Sequence, residues 1–291
     1  MKKRVLMLGA TALLGTILLA GCGANNSTNS EKTATESTKI VAAGSTALQP
    51  LVDAASEKYQ EANAGAQISV QGGGSGLGLT QVANKSITIG NSDLFAEEKK
   101  MNDKNLIDHK VAVVGIAPVT NKDAKVTNLT KAQLKDIFAG KVKNWKEVGG
   151  ADLAIQVINR AEGSGTRFNF EKYGLDGIQV VKSQEQDSSG TVRQIVSTTP
   201  GAISYLAFSY FDDSITHLNI DGVEATEENV QSNKWTIWSY EHMYTNGKDE
   251  AAEKFINFIL GEDIQNGPVK ELGYLPVSEM KVERNAAGEV K

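Results

Sequence analysis

The sequence predicts an α/β fold with a largely parallel β-sheet. Runs of residues with the spacing of β-strands alternate with helix-like runs along most of the chain, and this alternation is typical of βαβ units. The run from His109 to Val119 is almost continuously apolar, as expected for a strand that is buried on both faces. With the N-terminal leader set aside, about 250 residues remain, which is enough for one large domain or for two lobes.

Local signals justify the individual elements in order along the chain. Thr130 and Gln133 have the spacing of a capping box, and Gly140 ends the helix that they start. A turn with a Pro-Gly sequence precedes the strand that begins at Gly201. The strand-like runs are 40–43, 68–71, 87–90, 109–119, 155–159, 178–181 and 201–205, and the helix-like runs are 48–62, 77–83, 130–140, 167–173, 190–197 and 250–260.

Three times, a strand-like run ends in glycine and hydroxyl residues and a helix-like run follows at once. These loops are residues 44–46 (GST), 72–76 (GGGSG) and 163–166 (GSGT). A helix N-terminus carries unpaired N–H groups and about half a positive charge, so such loops favour anions. Each loop alone also has a structural explanation, because Ser and Thr cap helices and Gly allows tight turns. Three loops in one chain, one of them preceded by Arg160, favour an anion site instead.

Two charged residues narrow the kind of anion. The planar guanidinium of Arg160 can bind two oxygens of an oxyanion at once. An anion site should avoid a carboxylate such as Asp93, because the carboxylate and a bound anion about 4 Å apart repel by about 4 kcal/mol at an effective dielectric constant near 20. Asp93 is useful only if the ligand carries a proton, as phosphate does at neutral pH and sulfate does not. A site that hydrogen-bonds a ligand hydrogen discriminates against the analogue without it by a factor of about 10⁴–10⁵. The alternative is that Asp93 caps a helix starting at Leu94, and spacing alone does not choose between the two.

The chain resembles the phosphate-binding lipoproteins of bacterial ABC-type phosphate uptake systems, the PstS family. The resemblance lies in residues 43–50, 72–76, 90–93 and 160–166, with further likeness around Trp145 and at 201–205. It extends from about residue 39 to about residue 278 and implies a two-lobed, type II periplasmic-binding-protein-like fold. In that fold two α/β lobes joined by a hinge close on dehydrated phosphate in the cleft between them.

The resemblance also implies lobe boundaries and ligands. The first lobe would be residues 39–114 plus 235–282, the second the inserted residues 115–234, and 283–291 a charged, frayed C-terminal tail. A carboxylate at Glu162 can steady Arg160. In the first lobe, the groups implied to bind phosphate are Thr46, the amide of Ala47, Ser75 with its neighbour Gly76, and Asp93 as proton acceptor, with help from Ser45. In the second lobe they are Arg160, Ser164, the amide of Gly165, and Thr166.

The N-terminus predicts export and lipid attachment. A basic start is followed by an apolar run at 5–20, which is short for a membrane span of about 20 residues and is typical of a secretory signal. The sequence LAGC at 19–22 resembles the lipobox of bacterial lipoproteins, so that residues 1–21 are a signal peptide and Cys22, the single cysteine, is lipidated. Residues 22–38 are polar and predict a flexible tether. We therefore expect an extracytoplasmic chain anchored in the membrane by its acyl group, on the outer face of a Gram-positive cell membrane.

Composition excludes several classes of function. The formal net charge is −5 and no basic tract follows the signal, so nucleic acid is not an expected partner. The three histidines are far apart and lack metal-ligand spacing, so we expect no metal and no cofactor. Neither Ser75 nor Ser164 lies in a Gly-x-Ser-x-Gly motif, because Leu77 and Glu162 occupy glycine positions. These features argue against an enzyme.

The predicted function is a monomeric, non-catalytic receptor that captures inorganic phosphate and delivers it to the membrane subunits of an ABC permease. The first alternative is a binding protein of the same architecture for another oxyanion, such as sulfate or molybdate. The second is a secreted phosphoester hydrolase that uses Ser75 or Ser164 as its nucleophile.

Overall fold

The structure is a computed structural model that describes residues 38–291. The predicted signal peptide, the lipidation site Cys22 and the tether up to residue 37 lie outside the described residues. The strands are β1 (Lys39–Gly44), β2 (Gln67–Gln71), β3 (Ile89–Ser92), β4 (Leu106–Thr120), β5 (Asn128–Leu129), β6 (Gln156–Arg160), β7 (Gln184–Gln186), β8 (Ala202–Ala207), β9 (Thr216–His217), β10 (Asn219–Ile220) and β11 (Trp238–Asn246). The α-helices are α1 (Gln49–Ala62), α2 (Ser75–Ala83), α3 (Lys131–Phe138), α4 (Gly165–Asn169), α5 (Ser189–Thr198), α6 (Glu227–Gln231), α7 (Glu250–Ile259), α8 (Glu262–Asn266) and α9 (Pro268–Glu271).

The α/β class is confirmed, but the sheet is mixed rather than largely parallel. Its strands follow the order β2-β1-β3-β11-β4-β8-β6-β7, with β9 beside β4. The two outer parts are parallel, because β1 runs parallel to β2 and β3, and β6 to β7 and β8. The centre is antiparallel, because β11 pairs in the opposite direction with β3 and β4, and β4 does so with β8. Sequence periodicity does not report strand direction, which explains the wrong prediction.

Strand β4 joins the two parallel parts of the sheet. Residues 106–115 pair with β11, and residues 116–120 pair with β8. The partner changes at Gly115, where an added Cβ would lie 2.3 Å from the ring of Phe208. Two parallel half-sheets bridged by antiparallel strands fit the two-lobed periplasmic-binding architecture. The exact lobe boundaries, at 114/115 and 234/235, stay a prediction.

Several local predictions can be compared with the structure. The capping box is confirmed: the Thr130 hydroxyl accepts from the Gln133 amide, and the Gln133 side chain accepts from the Thr130 amide. The strand predicted at 178–181 is wrong, because that segment pairs with no strand and its Val181 amide donates to the Phe138 carbonyl. The helix predicted at 167–173 is two shorter pieces, α4 and a π-helical turn at Phe170–Gly174.

The C-terminal tail is held against the body, contrary to the prediction that it frays. The Arg284 side chain is 5% exposed and lies between the rings of Tyr173 and Trp238, with its guanidinium carbon 3.9 Å from each ring centroid. It also donates to the carbonyl oxygens of Thr236 and Trp238. Two cation–π contacts and these two hydrogen bonds offset part of the loss of hydration. Within residues 38–291, no helix has the length and apolarity that a membrane span requires.

Candidate functional site

The first loop turns sharply at the end of β1. Gly44 has φ of +135°, and a Cβ there would lie 2.1 Å from the Asn91 carbonyl oxygen, so only glycine fits. The hydroxyl of Ser45 accepts hydrogen bonds from the amides of Ala47 and Leu48, at 3.0 and 3.1 Å. Ser45 therefore holds the chain that leads into α1, and the Ala47 amide donates to that hydroxyl in this arrangement.

Arg160, the last residue of β6, is the charged centre of the site. Its side chain is 1% exposed. Its two terminal nitrogens donate to the hydroxyls of Thr46 and Ser189, each at 3.0 Å, and the guanidinium also donates to the carbonyl oxygens of Gln186 and Asp187. Burial lowers the pKa of Arg160, but a guanidinium keeps its charge in proteins. No carboxylate within residues 38–291 accepts a hydrogen bond from this buried cation.

Asp93 follows β3 and is 3% exposed. One carboxylate oxygen accepts from the Ser75 hydroxyl at 3.2 Å, and the other accepts from the Thr166 hydroxyl at 2.8 Å. The helix-cap alternative is wrong, because the next helical turn is a 3₁₀ turn at Ala96–Lys99 that Asp93 does not cap. Its carboxylate instead points toward the second and third loops.

The second and third loops touch each other. The Gly76 amide donates to the Gly163 carbonyl at 3.0 Å. At Gly165 a Cβ would lie 2.3 Å from the Ser75 hydroxyl oxygen and 2.9 Å from the Asp93 Cβ, so a side chain would separate the loops. The Ser164 hydroxyl accepts from the Arg167 amide and caps α4.

The structure brings the predicted residues of all three loops together and adds some that the sequence reasoning missed. Ser189, buried at the start of α5, lies 3.0 Å from the Thr46 hydroxyl, and its amide donates to the same oxygen. The Asn169 side chain donates to the Asp93 carbonyl oxygen at 2.9 Å. Ser189 had a signal, since the sequence SSG at 188–190 repeats the hydroxyl–glycine pattern just before a helix. Asn169 lies inside a helical run and had no such signal.

The expectation that Glu162 steadies Arg160 is not met. Glu162 lies in an exposed turn and makes no hydrogen bond with Arg160, whose place is fixed instead by the backbone carbonyls of Gln186, the last residue of β7, and Asp187. Arg167 supports the turn from outside: it donates to the Arg160 carbonyl oxygen at 2.7 Å and forms ion pairs with Glu171 and Glu185. The carboxylates in this region therefore pair with Arg167 and leave Arg160 unpaired.

The arrangement has the chemistry of a small-oxyanion site. One guanidinium donates to two of the four hydroxyl groups, and the Asp93 carboxylate accepts from the other two. No group of three His, Cys, Asp or Glu side chains in the described part of the chain could hold a metal ion. The hydroxyl groups belong to Thr46, Ser75, Thr166 and Ser189.

Comparison with known proteins gives a consistent result. A family model described as a PBP superfamily domain matches residues 29–263. The chain is 48% identical to the phosphate-binding protein PstS of Bacillus subtilis (strain 168), with 98% of each chain covered. It is 31% identical to the phosphate-binding protein PstS of Borreliella burgdorferi, over 95% of this chain and 99% of that one.

Solved structures agree. A substrate-binding protein assigned to a phosphate ABC transporter of Clostridium perfringens, with bound phosphate, superposes with a TM-score of 0.77 at 34% identity, over 82% of this chain and 100% of that one. An ABC-type phosphate transport receptor from Vibrio cholerae superposes with a TM-score of 0.65 at 26% identity, over 81% of this chain and 99% of that one. Fold and site together define a two-lobed binding protein of the PBP superfamily. Within that superfamily, the chain belongs to the PstS family of phosphate-binding proteins.

Proposed function

We propose that this protein is an extracytoplasmic receptor that captures inorganic phosphate and delivers it to the membrane subunits of an ABC permease. The observation that carries the proposal is the buried guanidinium of Arg160, which donates no hydrogen bond to a carboxylate within the described residues. A buried charge is costly unless an opposite charge and hydrogen bonds satisfy it. A phosphate beside Arg160 supplies both. The relatives named for phosphate binding support the same ligand.

Asp93 favours phosphate over fully ionised oxyanions. Its carboxylate already accepts hydroxyl hydrogens from Ser75 and Thr166, and a ligand beside it has to bring a hydrogen of its own. Monohydrogen and dihydrogen phosphate do so at neutral pH, whereas sulfate and molybdate would place lone pairs against lone pairs. The leading alternative, a receptor for another oxyanion, therefore conflicts with the one acceptor in the site.

Capture by closure follows from where the ligands lie. Thr46, Ser75 and Asp93 belong to the proposed first lobe, and Arg160 and Thr166 to the second. A ligand that contacts both sets stabilises the closed form by its differential affinity for that form over the open one. The same closure removes water, which strengthens every hydrogen bond to the anion. Reopening at a permease would reverse this and release phosphate.

Catalysis is not part of the proposal. A serine nucleophile is usually activated by a histidine base, whereas the Ser75 hydroxyl donates to the Asp93 carboxylate, a weaker base than histidine, and the Ser164 hydroxyl accepts from the Arg167 amide. No histidine within residues 38–291 hydrogen-bonds to either serine. We propose that the protein is a monomer without a cofactor. We also propose that its signal peptide directs export and that lipidated Cys22 anchors it to the outer face of the cell membrane.

Binding of labelled phosphate to the purified protein tests the proposal. We expect arsenate to compete, because it carries the same kind of proton, and excess sulfate to fail. Arg160→Met should weaken phosphate binding by about 10²–10³-fold, the scale for loss of one partner of a buried charge pair. Arg193→Met is the matched control, because Arg193 is half-exposed and forms its ion pair with Asp212. Equal competition by sulfate would favour the other-oxyanion receptor, and release of phosphate from model esters would favour the hydrolase.

A further inference from the structure

A second carboxyl group is buried behind the site. Glu241, in the middle of β11, is 0% exposed. Neither of its carboxyl oxygens accepts a hydrogen bond from an N–H or O–H group within residues 38–291. An ionised carboxylate in such a place would lose its hydration without compensation. A carboxyl group in this place is therefore expected to carry a proton.

Strand register places Glu241 opposite Asp93. In the antiparallel pair of β11 and β3, His242 lies opposite Ser92 and Met243 opposite Asn91. Continuing the register by one residue brings Glu241 to Asp93, and directly opposed residues have Cβ atoms about 4.5–5.5 Å apart. The Asp93 carboxylate also raises the pKa of Glu241, so the two carboxyl groups lie close together.

The groups around Glu241 leave it without a cation. On β4 its register partner is Ala112, and the titratable groups facing it are Asp93, just after β3, and Tyr274, after α9. None of the ion pairs formed by the described residues includes Glu241. Burial first, and then the nearby carboxyl group of Asp93, raise the pKa of Glu241 well above its usual value of 4.5.

The hydrogen bonds of Asp93 decide which of the two carboxyls carries the proton. Asp93 accepts the hydroxyl hydrogens of Ser75 and Thr166, so it is the acceptor in the network. Glu241 accepts none. The consistent assignment is a neutral Glu241 that donates its proton to a carboxylate oxygen of Asp93.

We propose that Glu241 is a positioning residue for anion selection: its neutral carboxyl donates a hydrogen bond to Asp93, which fixes the Asp93 carboxylate and keeps a single negative charge beneath the ligand. The proposal about the ligand rests on the proposed function, whereas the protonation of Glu241 does not. When Glu241 loses its proton, a second negative charge lies behind Asp93 and disfavours any anion. Glu241→Gln keeps the shape and the hydrogen-bond donor but cannot ionise.

Infrared spectroscopy of the purified protein tests the protonation directly. A protonated carboxyl has a C=O stretch that is separate from the bands of carboxylates. We expect this band in the wild type at neutral pH and its loss in Glu241→Gln. In Asp93→Asn the band should persist at a shifted frequency, because the acceptor changes. Glu61→Gln, which alters an exposed carboxylate on α1, should leave the band in place.

Phosphate titrations across pH test the positioning role. As pH rises through the deprotonation of Glu241, which loss of the infrared acid band reports, the wild type should lose roughly tenfold or more affinity relative to Glu241→Gln, the scale of one unit charge at close range. The comparison cancels the ionisation of phosphate itself, and Glu61→Gln should follow the wild type. The absence of the acid band would overturn the protonation, and a band with parallel pH profiles would overturn the positioning role. A wild type that binds no phosphate would instead contradict the proposed function, and the infrared result would still decide the state of Glu241.

Discussion

Gly165 offers a sharp test of whether the three loops close on one ligand. A Cβ added at this position would lie 2.3 Å from the Ser75 hydroxyl oxygen and 2.9 Å from the Asp93 Cβ. Both neighbours belong to the proposed first lobe, whereas Gly165 begins α4 in the second. The added methyl would therefore push the two sets of ligands apart. Overpacking of this kind costs about 1–3 kcal/mol, so Gly165→Ala should weaken phosphate binding by about 5- to 150-fold.

Calorimetric titration with phosphate and thermal unfolding, with and without phosphate, measure this effect. If closure brings these loops together only around the ligand, as proposed, the ligand-free unfolding temperature should change little, while the increase caused by phosphate should shrink. Gly190→Ala is the matched control: it lies in the first turn of α5 near the site, and its Cβ would have 4.0 Å to the Tyr210 ring. Wild-type affinity in Gly165→Ala, or equal loss in both variants, would refute closure through this contact.

Three further predictions follow from other parts of the structure. Asp93→Asn should weaken phosphate binding by at least about tenfold and narrow the preference for phosphate over sulfate, because the amide can donate a hydrogen where the ligand's proton needs an acceptor. Competition calorimetry that finds both affinities unchanged would contradict the proton requirement. Gly115→Ala should lower the free energy of unfolding by about 1–3 kcal/mol, since the Cβ would lie 2.3 Å from the Phe208 ring; an unchanged urea midpoint would show that the ring moves aside freely. Because the folded-state pKa of Glu241 is raised, the wild type should lose stability as pH rises from the unfolded Glu value toward the folded one. Glu241→Gln should lack that loss, and urea denaturation at several pH values that gives parallel curves for the two proteins would contradict it.

The loops could be predicted from sequence because their signals are local. Glycine and hydroxyl residues between a strand pattern and a helix pattern report a turn and a helix start, whatever the rest of the fold does. Gly44 is an example, since its φ of +135° is a property of its own turn. The same local signal is present at Ser189, but β7 before it has only three residues, too few to show a strand pattern.

Features that depend on distant partners could not be predicted. Whether Asp93 caps a helix or faces a ligand is decided by Ser75 and Thr166, which lie 18 and 73 residues away in sequence. The antiparallel centre of the sheet depends on β11 returning beside β3 and β4 from the far end of the chain. The tail was predicted to fray because it is charged, yet cation–π contacts hold Arg284 on rings more than 40 residues distant in sequence.

The charges of the site explain why it needs so many hydroxyl groups. Arg160 contributes one positive charge and Asp93 one negative charge, and on the proposed protonation Glu241 contributes none. The net charge on the protein side of the site is then close to zero, so a negative ligand is held by direct contact with Arg160 and the hydroxyl groups, and not by a net attraction. Its binding has to come from hydrogen bonds, which are strong only where water is excluded. Closure is thus a requirement of this charge balance, and the same balance makes the occupied site easy to empty once the loops separate.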